Sequence, residues 1–188
     1  MTIASPHPAL LARAIPQVRG LDLILVASFV GLNAAAAQIV IPLPFTPIPL
    51  TLQTFAVLLT GSALGASRGA LTLAIYLAVG ALGAPWFSGG THGLGGPTTG
   101  YLFGFLVSGF VVGKLAERRA THSVKMTFFA FFVGTVLIYS CGVPWLMVST
   151  GMGLSAAIAA GLTPFLIGDT LKACVAGLLL PGIWRMIR

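Results

Sequence analysis

Charge is what this sequence has least of. Only 7% of its 188 residues are Asp, Glu, Lys or Arg, and the acids number three. A soluble domain carries about 25%, so a water-facing surface over the whole chain is excluded. The class that remains is an integral membrane protein. Cysteine is nearly absent as well. Cys141 and Cys174 lie in apolar runs without CxxC spacing, which fits small buried hydrophobes and leaves the redox compartment open. His7, His92 and His122 are scattered, so no metal cluster is visible. No GxxxxGK[ST] occurs, so a pump with its own nucleotide site is excluded. Residues 1–20 lack the apolar core of a signal peptide and read as a short cytoplasmic tail, with the first spanning helix as the insertion signal.

Apolar sequence is abundant, at 57%. One crossing takes about 20 residues, so the chain has room for about six. The pattern predicts an all-α bundle of six transmembrane helices over 21–188, at 21–41, 51–66, 69–84, 100–116, 125–147 and 163–187. The Gly- and Ala-rich stretch 148–162 reads as a short re-entrant helix or an extension of a neighbour. The basic residues support the count. Arg13, Arg19, Arg68, Lys114, Arg118, Arg119, Lys125, Arg185 and Arg188 all fall on one side of a six-helix topology. The other side, 42–50, 85–99 and 142–162, has none. The positive-inside rule then places both termini in the cytoplasm. Because the basic residues sit in short gaps between apolar runs, the net charge of +7 points to loops beside a lipid bilayer and not to nucleic acid.

Two outer loops stand out. "PLPFTPIPL" (42–50) reads as an extended, stiff connector, and "PWFSGGTHGLGGPT" (85–98) as a Gly-rich segment. Either they simply connect helices, or they form a lid over a pocket that opens outward.

"PFLIGDTLKA" (164–173) holds Asp169 and Lys172, the acid and the base that lie inside an apolar segment. Each charge at mid-bilayer costs about 2.5–3.5 kcal/mol. A spacing of three puts the two on one helical face, in the outer half of the last segment. An ionisable residue there is a candidate site for a small polar solute, and a structural ion pair is the alternative. Gln53, near the outer end of the second segment, can both donate and accept. Tyr101 opens the fourth segment, where it is either a ligand contact or an interfacial belt residue. Ala27, Gly31 and Ala35 recur at spacing four, a small-residue face that serves either internal packing or close contact with another helix.

Three motifs, 44–90 from "PFTPIPLTLQTF" to "PWFSGG", "GGPTTGYLFGF" (95–105) and "PFLIGDTLKA" (164–173), together resemble the BioY family. Those proteins are the biotin-capturing S components of energy-coupling factor (ECF) transporters. The resemblance covers most of 21–187; it departs from the pattern at Thr98–Thr99 and Ile167, without loss of a charged group. It implies a six-helix membrane bundle that binds biotin from outside, as transported ligand with no cofactor, in the plasma membrane. It also implies a transmembrane coupling subunit and two ABC ATPases as partners, although some members are thought to act alone. Asp169 and Lys172 match the family's biotin-contacting acid and base. Biotin's ureido group offers two N–H donors and a carbonyl acceptor, which suits a carboxylate beside an ammonium. Its apolar parts would pack on Trp86, Phe87, Phe45 or Tyr101, with the backbone at Gly90 approaching closely. The family's S components use a small-residue face such as Ala27–Gly31–Ala35 to dock on the coupling subunit.

An enzyme is disfavoured. "LIGD" (166–169) has a partial likeness to intramembrane aspartyl proteases, but the spans hold no second carboxylate to share the proton. A solitary carrier that works without ATPase partners is the alternative.

Overall fold

The computed structural model describes residues 19–118 and 122–186. The expected tail, with Arg13, lies outside the described residues up to position 18, as do Arg119 and Arg188. Among the described residues the fold is mainly helical, with one small hairpin. Helix α1 spans Arg19–Gln38, β1 Val40–Ile41, β2 Leu50–Thr51, α2 Gln53–Leu64, α3 Ala66–Ala81, α4 Thr99–Glu117, α5 Val124–Thr150, α6 Leu154–Gly161 and α7 Leu166–Met186. Among the described residues, three apolar stretches are long enough to cross a membrane by themselves, Thr99–Glu117, Val124–Thr150 and Leu154–Ile183. Asp22–Gln38, Gln53–Leu64 and Ala66–Ala81 are apolar but shorter. The six expected segments thus all recur as helices, and α2 is the shortest of them: 12 residues, or about 18 Å.

Two expectations change in detail. The Pro-rich 42–50 is not simply an extended connector. Its flanks pair antiparallel, Val40 with Thr51 and Ile41 with Leu50, and the prolines occupy the turn, where no ladder N–H is needed. Thr46 fixes that turn by donating to the carbonyl of Ala160 at 2.8 Å and accepting from the Ile48 N–H at 3.1 Å. The stretch 148–162 forms α6, set off from α5 by Gly151 in the left-handed region (φ 73°), where a side chain would be strained.

Hydrogen bonds define two ends of the bundle. At one end, Arg68 in the first turn of α3 pairs with Asp22 of α1 at 3.0 Å. Glu117, which closes α4, accepts the Ala66 N–H at 2.9 Å. A carboxylate at the start of α3 both satisfies an open donor and meets the positive end of the helix dipole. The other end carries the hairpin, the Gly-rich loop and α6. There Gln38 donates to the Phe87 carbonyl and Trp145 to that of Gly96, at 3.3 and 2.9 Å. This end, 82–98 and 151–165 with the hairpin, has no Lys, Arg, Asp or Glu.

Helix α4 is the axis. Of its apolar stretch 61% is buried, against 33% for Leu154–Ile183. Small residues let neighbours approach it closely: a Cβ on Gly61 of α2 would stand 3.2 Å from the Gly109 Cα and press on its carbonyl. Such backbone contact gains dispersion where helix association has no hydrophobic drive. The outer surface is apolar, with Phe103, Phe110, Phe128, Phe132 and Leu178 exposed, while Asn33, Gln53, Thr60, Thr72 and Asp169 are buried. That reverses the arrangement of a soluble fold and fits a multi-pass membrane protein.

Candidate functional site

At the uncharged end, α2, α4, α5, α7, the hairpin and the Gly-rich loop enclose a cavity of about 50 Å³. Its walls are mostly apolar, from Ile48, Leu50, Phe87, Leu102, Phe105, Ile138 and Phe165. Polar groups enter from Gln53, Thr54, Tyr101, Tyr139, Asp169 and Lys172. Apolar walls with a few convergent polar groups are the usual composition of a small-molecule site.

The acid and base lie one turn apart on α7, and they touch. Lys172 Nζ stands 2.9 Å from Asp169 Oδ1, with the two side chains 14% and 6% exposed. The ammonium has three protons, and all three are engaged: the others go to the Thr51 carbonyl at 2.8 Å and Thr54 Oγ1 at 2.7 Å. Thr54 in turn donates to Asp169 Oδ1 at 3.0 Å. Tyr139 of α5 donates to Asp169 Oδ2. The pair is therefore a four-residue network across α2, α5 and α7, not two charges with a gap between them. Every member is satisfied, which is what allows it to be buried. Both charged residues also line the cavity. A ligand that meets them shares bonds with this network or replaces some of them.

The other sequence candidates divide. Gln53, Tyr101 and Phe87 line the cavity with Asp169 and Lys172. Tyr101 contributes its ring, because its hydroxyl is already committed to the Gly161 carbonyl at 2.7 Å. Trp86, Gly90 and Phe45 are not on the cavity wall. Trp86 packs against the core beside it, and its carbonyl accepts from Tyr76 at 2.9 Å. Gly90 stands in a 3-10 turn, Ser88–Gly90, on the exposed face of the loop. Phe45 is 66% exposed at the hairpin tip. Thr54, Tyr139 and the Thr51 carbonyl were not foreseen. A phenol within the apolar run "VLIYSCG" (136–142) was the available signal, since a buried tyrosine hydroxyl must find a partner.

On α1, Ala27, Gly31 and Ala35 all face outward. A Cβ built on Gly31 meets nothing within 4 Å. Packing among the described residues therefore does not account for the stripe.

Comparison with known proteins decides the family. The sequence profile of the BioY family matches residues 12–188. The chain belongs to the BioY family. Its BioY relatives include the "Biotin transporter BioY" of Rhizobium etli, 38% identical over 169 residues, which span 84% of this chain and 90% of that one. The "Biotin transporter BioY" of Thermotoga maritima is 38% identical over 161 residues, 84% of this chain and 92% of that one. A "Probable biotin transporter BioY" of Pyrococcus horikoshii is 36% identical over 155 residues, 81% and 89% of the two chains. Among solved structures, the S-component for biotin from an ECF-type ABC transporter superposes with a TM-score of 0.80, covering 90% of this chain and 95% of that one. Its identity to this BioY chain is 23%, so the likeness concerns the fold.

Proposed function

We propose that this chain captures biotin for uptake as the substrate-binding subunit of an ECF-type ABC transporter in the plasma membrane. The observation that carries the reading is the 38% identity, over most of both chains, to curated biotin transporters. The cavity supports it. A ureido group needs an acceptor for each N–H and a donor for its carbonyl. Gln53 and Asp169 supply acceptors, Lys172 supplies the donor by exchanging one of its three present partners, and Phe87 and Tyr101 offer apolar surface for the ring and chain. Calorimetric titration of the purified protein tests this. Saturable binding of biotin in preference to close analogues is expected, and no heat with biotin at any concentration would overturn it.

The chain carries no nucleotide motif, so ATP hydrolysis belongs to partners, a transmembrane coupling subunit and two ABC ATPases. The outward-facing stripe on α1 is the docking surface we assign to that subunit. A solitary carrier is the second reading, favoured by the fact that the residues lining the cavity all come from this one chain. ATP-independent uptake driven by a pH gradient, in membranes that lack the partner subunits, would favour it.

For the membrane itself we propose six crossings with both termini cytoplasmic. Asp22, Arg68, Lys114 and Glu117 gather at one end through direct contacts, and that end is the cytoplasmic one by the positive-inside rule. A cysteine placed at His92 should react with an impermeant thiol reagent from outside, and one at His122 only from inside. The opposite pattern would invert the topology.

A further inference from the structure

Tyr76 is fully buried on α3 and does not line the cavity. Its hydroxyl nevertheless bridges two elements of the site. Gln53 Nε2 lies 2.6 Å from it, and the Trp86 carbonyl 2.9 Å. A phenol has one proton, and a backbone carbonyl only accepts. The proton of Tyr76 must therefore go to Trp86, and the phenol oxygen must accept from Gln53. Only the amide nitrogen of Gln53 can make that bond.

The choice has a consequence on the other side of the amide. An unconstrained glutamine can present either its oxygen or its nitrogen, because the two ends differ little in shape. Here the nitrogen is held against Tyr76, so the oxygen is turned elsewhere. Gln53 Oε1 accepts no hydrogen bond among the described residues, and it is not among the buried polar atoms sealed without a partner. Gln53 is 4% exposed, and the open space its side chain borders is the cavity. The backbone is fixed too, since the Gln53 N–H donates to Thr51 Oγ1 at 3.2 Å. Asp169, by contrast, already accepts on both of its oxygens. Gln53 Oε1 thus remains an uncommitted acceptor beside the cavity.

We propose that Tyr76 is a positioning residue that sets the polarity of the site: it locks the Gln53 amide with oxygen toward the ligand, so that the site demands an N–H there. The assignment rests on the biotin reading and adds the feature that makes the ureido ring distinguishable from a ring of the same shape without that N–H. A carbonyl at that position would leave two acceptors facing each other, and an apolar ring edge would leave Gln53 Oε1 unpaired. Because the lock ends on the Trp86 carbonyl, it also ties this polarity to the Gly-rich loop being seated.

The test is titration with biotin and the two biotins methylated on one or the other ureido nitrogen. In the native protein, methylation at the nitrogen that faces Gln53 should weaken binding. Tyr76→Phe should weaken biotin about fivefold yet change the affinity for that one methylated isomer less than twofold, so the ratio between them narrows. In a Gln53→Met background, Tyr76→Phe should cost nothing further, because the two residues act as one unit. Equal weakening of all three ligands by Tyr76→Phe, or unchanged biotin affinity, overturns the proposal. If Tyr76→Phe does not accumulate in the membrane, Gln53→Met decides: a narrowed ratio supports the acceptor role, and an equal loss for all three ligands overturns it. A native protein that binds none of the three overturns the biotin reading itself, and is told apart by that.

Discussion

Asp169→Asn and Lys172→Met are each expected to weaken biotin binding at least tenfold in protein that still inserts, as read by calorimetric titration. The single variants carry a second effect. Removing one partner of a buried, hydrogen-bonded ion pair leaves the other charge uncompensated, at a cost of about 3–5 kcal/mol. In Asp169→Asn the Lys172 ammonium stays held by Thr51 and Thr54 but has lost its counter-ion. In Lys172→Met the Asp169 carboxylate keeps Thr54 and Tyr139 as donors. Both variants should melt earlier, so a loss of binding in either could reflect a weakened fold.

The double variant Asp169→Asn/Lys172→Met separates the two effects. With both charges gone no buried ion remains, and replacement of a buried pair by neutral groups is often neutral or stabilising. Its melting temperature should return to near the native value while biotin binding stays at least tenfold weak. Recovery of both properties together would make the pair a structural clamp between α7 and α2. Native-like binding in either single variant would lead to the same conclusion.

The long-range plan was legible because bilayer physics leaves few options. A chain with so few charges must place them at helix ends, and Asp22, Arg68, Lys114 and Glu117 are found there in contact. Asp169 and Lys172 could be paired from spacing alone because α7 is regular through both. Their partners could not. Thr54 and Tyr139 come from α2 and α5, and an apolar helix in a membrane has no polar face to announce its rotation. Threonine within helices usually bonds its own backbone, as Thr60 does to Ala56 at 2.7 Å. Nothing local marks Thr54 as different. Trp86 is expected at the site as apolar surface and Gly90 for close backbone approach, but a loop rich in glycines with positive φ, Gly83, Gly89 and Gly90 among them, turns successive residues to different sides. The Pro-rich hairpin was hidden for a related reason: two-residue strands are too short to show an alternating pattern.

The face of α1 gives the second large effect. Gly31→Leu is expected to leave biotin affinity within twofold of native and the melting temperature unchanged or raised, while copurification with the coupling subunit falls at least tenfold. The first half follows from this chain alone. The position is open, with nothing within 4 Å of a Cβ, so a larger side chain displaces no neighbour. Glycine inside a helix also costs about 1 kcal/mol relative to alanine, a cost the substitution relieves. The second half follows from how helices meet in lipid. Without a hydrophobic drive, association depends on close backbone approach over small residues, and a leucine between Ala27 and Ala35 holds the partner helix away by the depth of its side chain. Ala27→Leu should behave alike, one turn nearer the charged end. Because the cavity is built by α2, α4, α5 and α7 with their loops and by no residue of α1, binding and assembly are separable by these substitutions. Unimpaired copurification of both variants would remove the docking surface from α1, and loss of biotin binding alongside would mean that α1 shapes the cavity from behind.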